Sequence, residues 1–221
     1  MKKHTVVLAF ASTLLCTLPA RAELIDFTSS TWTSATSFVD YGSLRVHVSV
    51  AGGALSVTPF DGNAGAAPCT PATLACQRDG LGIGPGDDEV TFGGSEILTV
   101  SFTDLFNTPL AVTVLGIHFF DLFQSLAADP QPETAQWAYD IGGGGLLTGT
   151  QVGAGTGWAS VGTNVSGVTW IQFFATAPLS SANTDFALAA LEVEPIPEPT
   201  TLLLLGGGLV GLVTRQRRQK R

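Results

Sequence analysis

Leu44, Val46, Val48 and Val50 alternate without a break with Ser43, Arg45, His47 and Ser49. A period of two puts the four apolar side chains on one face of a pleated strand and the polar ones on the other. Leu98, Val100 and Phe102 alternate in the same way with Ile97, Thr99 and Ser101. Residues 110–121 are dense in β-branched and aromatic side chains and read as a strand buried on both faces. Residues 136–141, 168–175 and 186–193 extend the pattern, and residues 54–58, after Gly52-Gly53, read as the second arm of a hairpin. No amphipathic helical period runs through residues 23–194. About eight strands joined by Gly, Ser, Thr and Pro clusters predict an all-β chain, a β-sandwich of jelly-roll-like type. Its expected core holds Phe102, Phe119, Trp170, Leu188 and one of Phe173 and Phe174. The glycine-rich stretch 142–157 reads as a surface loop or a wide hairpin.

Charge is divided by position. All 18 acidic residues lie between Glu23 and Glu198, where only Arg45 and Arg78 are basic, so that span carries a net charge of −16. Such a field repels phosphate backbones and argues against a nucleic-acid partner. The remaining basic residues sit at the two ends.

Both ends read as addresses. Lys2 and Lys3 precede a short apolar run, and Ala20-Arg21-Ala22 supplies the small-x-small pattern of a signal-peptide cut after Ala22. Residues 1–22 are therefore expected to be a signal peptide. A lipoprotein cut at Cys16 is the rival, weakened by the bulk of Leu15 before it. At the other end Pro197-Glu198-Pro199 is followed by an uncharged stretch from Thr200 to Thr214 and then by Arg215, Arg217, Arg218, Lys220 and Arg221. As a helix that stretch would extend about 22 Å, short of the roughly 30 Å hydrocarbon layer, and the basic tail would stay cytoplasmic.

This tripartite tail, residues 195–221, resembles the PEP-CTERM sorting signal of Gram-negative bacteria. The resemblance implies processing near Pro197-Glu198-Pro199 by exosortase, a membrane transpeptidase-like enzyme. It implies a transient inner-membrane anchor through the C-terminal transmembrane helix, followed by transfer to the cell surface or outside. It also implies a link to exopolysaccharide and biofilm. The expected payload, residues 23–194, is a structural or adhesive domain and not an enzyme. A carbohydrate-binding module, calcium-assisted or not, is the alternative, and a secreted hydrolase a weaker one.

Within the payload three features carry chemistry. Cys69 and Cys76 are the cysteines left after signal removal, and an exported chain favours their pairing as a disulfide. Asp87, Asp88 and Glu89 crowd three carboxylates into a glycine-rich turn, which can supply part of a calcium shell or simply a solvated acidic turn. The segment Gly80–Glu96 loosely resembles one recurring in PEP-CTERM exported domains, and no role comes with it. Trp32, Trp137 and Trp158 read as rings beside loops, available for sugar stacking or for packing. His47 and His118 have no nucleophile motif around them.

Overall fold

The computed structural model describes residues 21–60, 73–84, 89–91, 95–124, 132–142, 145–153, 155, 157–175, 185–196 and 206. The named elements among them are twelve strands: β1 (Glu23–Asp26), β2 (Phe38–Tyr41), β3 (Leu44–Ala51), β4 (Ala54–Ser56), β5 (Gly82–Gly84), β6 (Ile97–Thr103), β7 (Val112–Phe120), β8 (Thr134–Asp140), β9 (Leu146–Val152), β10 (Ala159–Val168), β11 (Trp170–Ala175) and β12 (Ala187–Pro195). The named elements among the described residues are all β-strands, as the alternation predicted.

Two antiparallel sheets share one hydrophobic core. The smaller has four strands in the order β1-β12-β7-β10, and the larger has six in the order β2-β3-β6-β11-β8-β9. The core between them joins Ile25, Ile117, Phe119, Leu188 and Leu191 of the first to Leu44, Val100, Phe102, Trp137, Ile171 and Phe173 of the second. Phe119 is its hub. Its ring meets Phe186 edge-on at 5.3 Å, Phe173 edge-on at 6.2 Å and Trp137 at 5.8 Å. Edge-to-face contacts of this kind add to the area term of aromatic burial.

The outer faces of the two sheets differ. On the four-stranded sheet, Phe120, Ala187, Ala189 and Ala190 form a second small core with Leu74, packed beneath Phe60 and Cys76. The covering segment is tied down by its backbone. Gln77 and Arg78 both donate their N–H to the Thr28 carbonyl, at 3.0 and 2.9 Å. Ala75 N–H donates to Asp26 Oδ2 at 2.7 Å, and Cys76 N–H to Thr28 Oγ1 at 2.9 Å. This cover explains why the second half of β7 is buried on both faces.

Several expectations need correction. Residues 54–56 do not fold back on β3. They pair with β5 in a separate two-stranded sheet, and β3 lies between β2 and β6. Gly52, with φ +89°, turns the chain out of the large sheet, and a side chain on Gly53 would strike the Gly84 carbonyl oxygen at 2.4 Å. The glycines therefore make a corner between sheets, which requires the same local freedom as a hairpin. Trp170 is half-buried and lies outside the core, whereas Phe173 is the buried member of the Phe173/Phe174 pair. Trp32 and Trp137 are buried, at 0 % and 3 % exposure, so neither offers a ring to a ligand. Stretch 142–157 is the wide hairpin of the two readings, since β9 pairs with β8 along its whole length. The last strand also runs on past 194. Pro195 pairs with Val112, and Ile196 N–H reaches the Ala111 carbonyl at 3.0 Å.

Candidate functional site

The residues predicted from sequence to carry function are placed unevenly. Pro197, Glu198 and Pro199, the basic residues Arg215, Arg217, Arg218, Lys220 and Arg221, and Ala20, Cys69, Asp87 and Asp88 lie outside the described residues. Ala22 is exposed, and β1 begins at the next residue. Cys76 is disulfide-bonded. Glu89 is half-buried and its carbonyl accepts the Ile83 N–H at 3.0 Å. Among the described residues no cluster of His, Cys, Asp or Glu is arranged to hold a metal ion, and no helix is long and apolar enough to cross a membrane. Gly206, inside the tail, is helical and exposed.

Two arrangements were not foreseen. The first is the outer face of the six-stranded sheet. Strand register places Phe38, His47, Ser101, Trp170, Asp140 and Leu146 in one row across all six strands. At about 4.8 Å per strand the row is roughly 24 Å wide. Along β11, Trp170, Gln172 and Phe174 share this face because side chains alternate. Near Phe174 the face deepens into a cleft of about 510 Å³, lined by Glu96, Ile97, Gln172 and Ala175 among others.

The charged groups on this face are engaged within the fold, Asp40 and Arg45 as an ion pair. Arg45 holds Asp40 in a two-pronged pair, Nε to Oδ1 at 2.7 Å and Nη2 to Oδ2 at 3.0 Å. It also donates to Asn107 Oδ1 at 3.0 Å, while its guanidinium lies 4.4 Å from the centre of the Phe38 ring. The Arg45 hydrogen bonds hold the Asp40 carboxyl below its usual range. Burial, with Arg45 adding to it, keeps His47 below the ordinary imidazole value, and its Nε2 pairs with Thr103 Oγ1 at 3.0 Å. Asp140 Oδ2 accepts the Thr169 hydroxyl at 3.0 Å and Oδ1 the Gly142 N–H at 3.2 Å. By contrast, the Gln172 amide and the Thr99 and Ser101 hydroxyls take no partner within the fold among the described residues.

The second arrangement is a buried carboxyl at the rim. Glu133 is 5 % exposed and precedes β8. Its carboxyl accepts the Phe123 N–H, its own N–H reaches the Phe123 carbonyl at 3.0 Å, and its carbonyl accepts Gly153 N–H at 2.9 Å. Burial pushes its pKa up to about 8, opposed by the Phe123 N–H and reinforced by the hydrogen-bonded carboxyl of Asp185 and the charge of Asp121. A proton shared between Glu133 and Asp185 fits this geometry. Elsewhere, His118 is buried, stacks on Trp158 at 5.4 Å and meets Glu192 Oε1 at 3.2 Å, with burial lowering its pKa.

Sequence held a signal for the first arrangement. Gln172 marks the solvent side of β11, so Trp170 and Phe174, two residues either way, must share it. In β8 Gln136 does the same and assigns Trp137 to the interior. Glu133 had no such signal, because burial of a lone carboxyl depends on Asp185, 52 positions later, and on loop closure.

A two-sheet β-sandwich ending beside a proline-rich, basic-tipped tail defines a class of payload joined to an address. Residues 195–218 match the family model for the PEP-CTERM protein-sorting motif. The chain therefore carries the sorting signal of exported proteins processed through exosortase and directed to the cell surface. The comparisons found no match to a curated protein and none to a solved structure.

Proposed function

We propose that this protein is a non-enzymatic, structural or adhesive component of the cell surface or extracellular matrix, linked to exopolysaccharide. A signal peptide over residues 1–22 starts export, and the tail holds the chain briefly in the inner membrane. Processing at Pro197-Glu198-Pro199 then frees the sandwich. The sorting motif at 195–218 is the observation that carries this reading.

The payload in this reading is a jelly roll, and the strand pairings support it. With β2 to β5 set aside, eight strands remain, and they pair antiparallel as β1 with β12, β6 with β11, β7 with β10, and β8 with β9. First pairs with last, second with second-last, and so on inward. That is one long antiparallel ribbon, with the β8–β9 hairpin at its tip, wrapped around a common core. Pairing Cys69 with Cys76 would close the covering loop over the four-stranded sheet.

The test is replacement of Pro197, Glu198 and Pro199 by alanine in a host that carries exosortase. The expected result is full-length protein retained in the inner-membrane fraction. Release and mass indistinguishable from the unaltered protein would overturn the assignment.

A further inference from the structure

We propose that the open face of the six-stranded sheet binds an uncharged polysaccharide, laid along β11 with Trp170 and Phe174 as stacking rings and Gln172 as the hydrogen-bonding group between them. This deepens the reading of an exported payload and rests on it for access to such a polymer.

A pyranose presents C–H groups on its flat sides and hydroxyls at its rim. It is recognised by an aromatic ring beneath and amides or hydroxyls beside it. Trp170 and Phe174 are four residues apart on one strand, a Cα separation of about 13 Å, which suits a short run of sugar rings. Between them Gln172 offers a donor and an acceptor, with Thr99 directly opposite it on β6 and Ser101 opposite Trp170. None of these three polar side chains is satisfied inside the fold among the described residues. The cleft beside Phe174 gives the polymer a recessed end to the track.

Other occupants fit less well. A hydrophobic protein surface needs a contiguous apolar patch, and here the rings are separated by hydroxyls and an amide. A polyanion meets a span, Glu23 to Glu198, of net charge −16. A cationic ligand meets carboxylates already engaged within the fold, Asp40 by Arg45, Asp140 by the Thr169 hydroxyl and Gly142 N–H, and Glu96 by the Thr91 N–H. An uncharged chain of hydroxyls asks for no counter-charge from the face.

The experiment uses the full-length protein in detergent, in native affinity gels containing soluble β-glucan, galactomannan or dextran, with alginate as the acidic control. Sedimentation with cellulose and chitin extends the panel. Retardation by at least one uncharged polymer and not by alginate is expected. Trp170→Ala should weaken that binding about tenfold, the scale of one lost stacking contact. Trp170→Phe should bind close to wild type while losing the ligand-induced change in tryptophan emission. Gln172→Ala should fall between the two. If Trp170→Ala lowers the melting temperature enough to unfold, Gln172→Ala and Ser101→Arg decide the matter. Absence of binding to every uncharged polymer, preference for alginate, or Trp170→Ala binding like wild type would each overturn the proposal. So would a concentration-dependent dimer lost in Trp170→Ala, which would assign the face to a second copy. None of these outcomes touches the processing test at Pro197-Glu198-Pro199.

Discussion

The sandwich has two outer faces, and they are built to different ends. Over the four-stranded sheet, Phe120 and three alanines are sealed under Leu74, Phe60 and the disulfide-bonded Cys76. Over the six-stranded sheet no such cover lies on Trp170, Phe174 and Phe38 among the described residues, and Phe38 is 45 % exposed. Small residues permit the first arrangement. Alanines at 187, 189 and 190 leave room for a loop to lie flat on β12, whereas large rings on β11 would hold one off. The covered face should therefore contribute to stability and the open face should not.

Breaking the covered face should give the largest effect. Phe120→Ala removes a ring that packs on Phe60 at 5.6 Å and Trp158 at 5.4 Å. The expected cost is about 3–5 kcal/mol, a fall in melting temperature on the order of 10 °C. A fall of a degree or two by calorimetry would mean that the cover is loose. Next comes Cys76→Ser. With Cys69 as partner the closed loop is short, and its loss should cost about 2–2.5 kcal/mol. Equal melting temperatures with and without reductant would contradict this.

The seam between the faces gives a pH effect. Glu133 joins the segment after β7, from the covered sheet, to the start of β8, in the open one. Its folded pKa of about 8 lies above the ordinary 4.5. Between those values the folded chain holds a proton that the unfolded chain has released, so stability falls as pH rises and levels off above 8. The slope is at most about 1.4 kcal/mol per pH unit. His118 acts on the other side. Its lowered pKa means that stability is lost as pH falls below 6.5. Melting temperatures from pH 6.5 to 8.5 should decline in the wild type and stay flatter in Glu133→Gln. Parallel curves would show that Glu133 ionises as an exposed glutamate does.

What was legible in sequence follows from how far each signal reaches. The strands with strict alternation, β3 and β6, were found within a residue or two because their burial is decided by their own pattern. β9 is legible only as one of two readings of 142–157 and β10 is not, since the first is mostly exposed and in the second Val161, Val165 and Val168 are spaced out among Gly, Thr, Asn and Ser. Trp170 is expected in the core from its bulk, although Gln172, two residues on, marks the solvent side of β11 and assigns Trp170 to it. The sorting motif at 195–218 was legible, because its parts are consecutive and their order alone identifies it.

The smallest expected effect is the sharpest test of the contrast. Gln172→Ala and Thr99→Ala each remove a polar group that has no partner in the fold among the described residues. Substitutions that break no contact within the fold stay within about 0.5 kcal/mol, so both variants of these half-buried residues should melt with the wild type. If either is destabilised by as much as Cys76→Ser, the open face is a structural surface after all, and the asymmetry between the two sides loses its meaning. If both are neutral in melting yet alter retention on an uncharged polysaccharide, then the amide and the hydroxyl are held ready at the surface for a partner outside the chain.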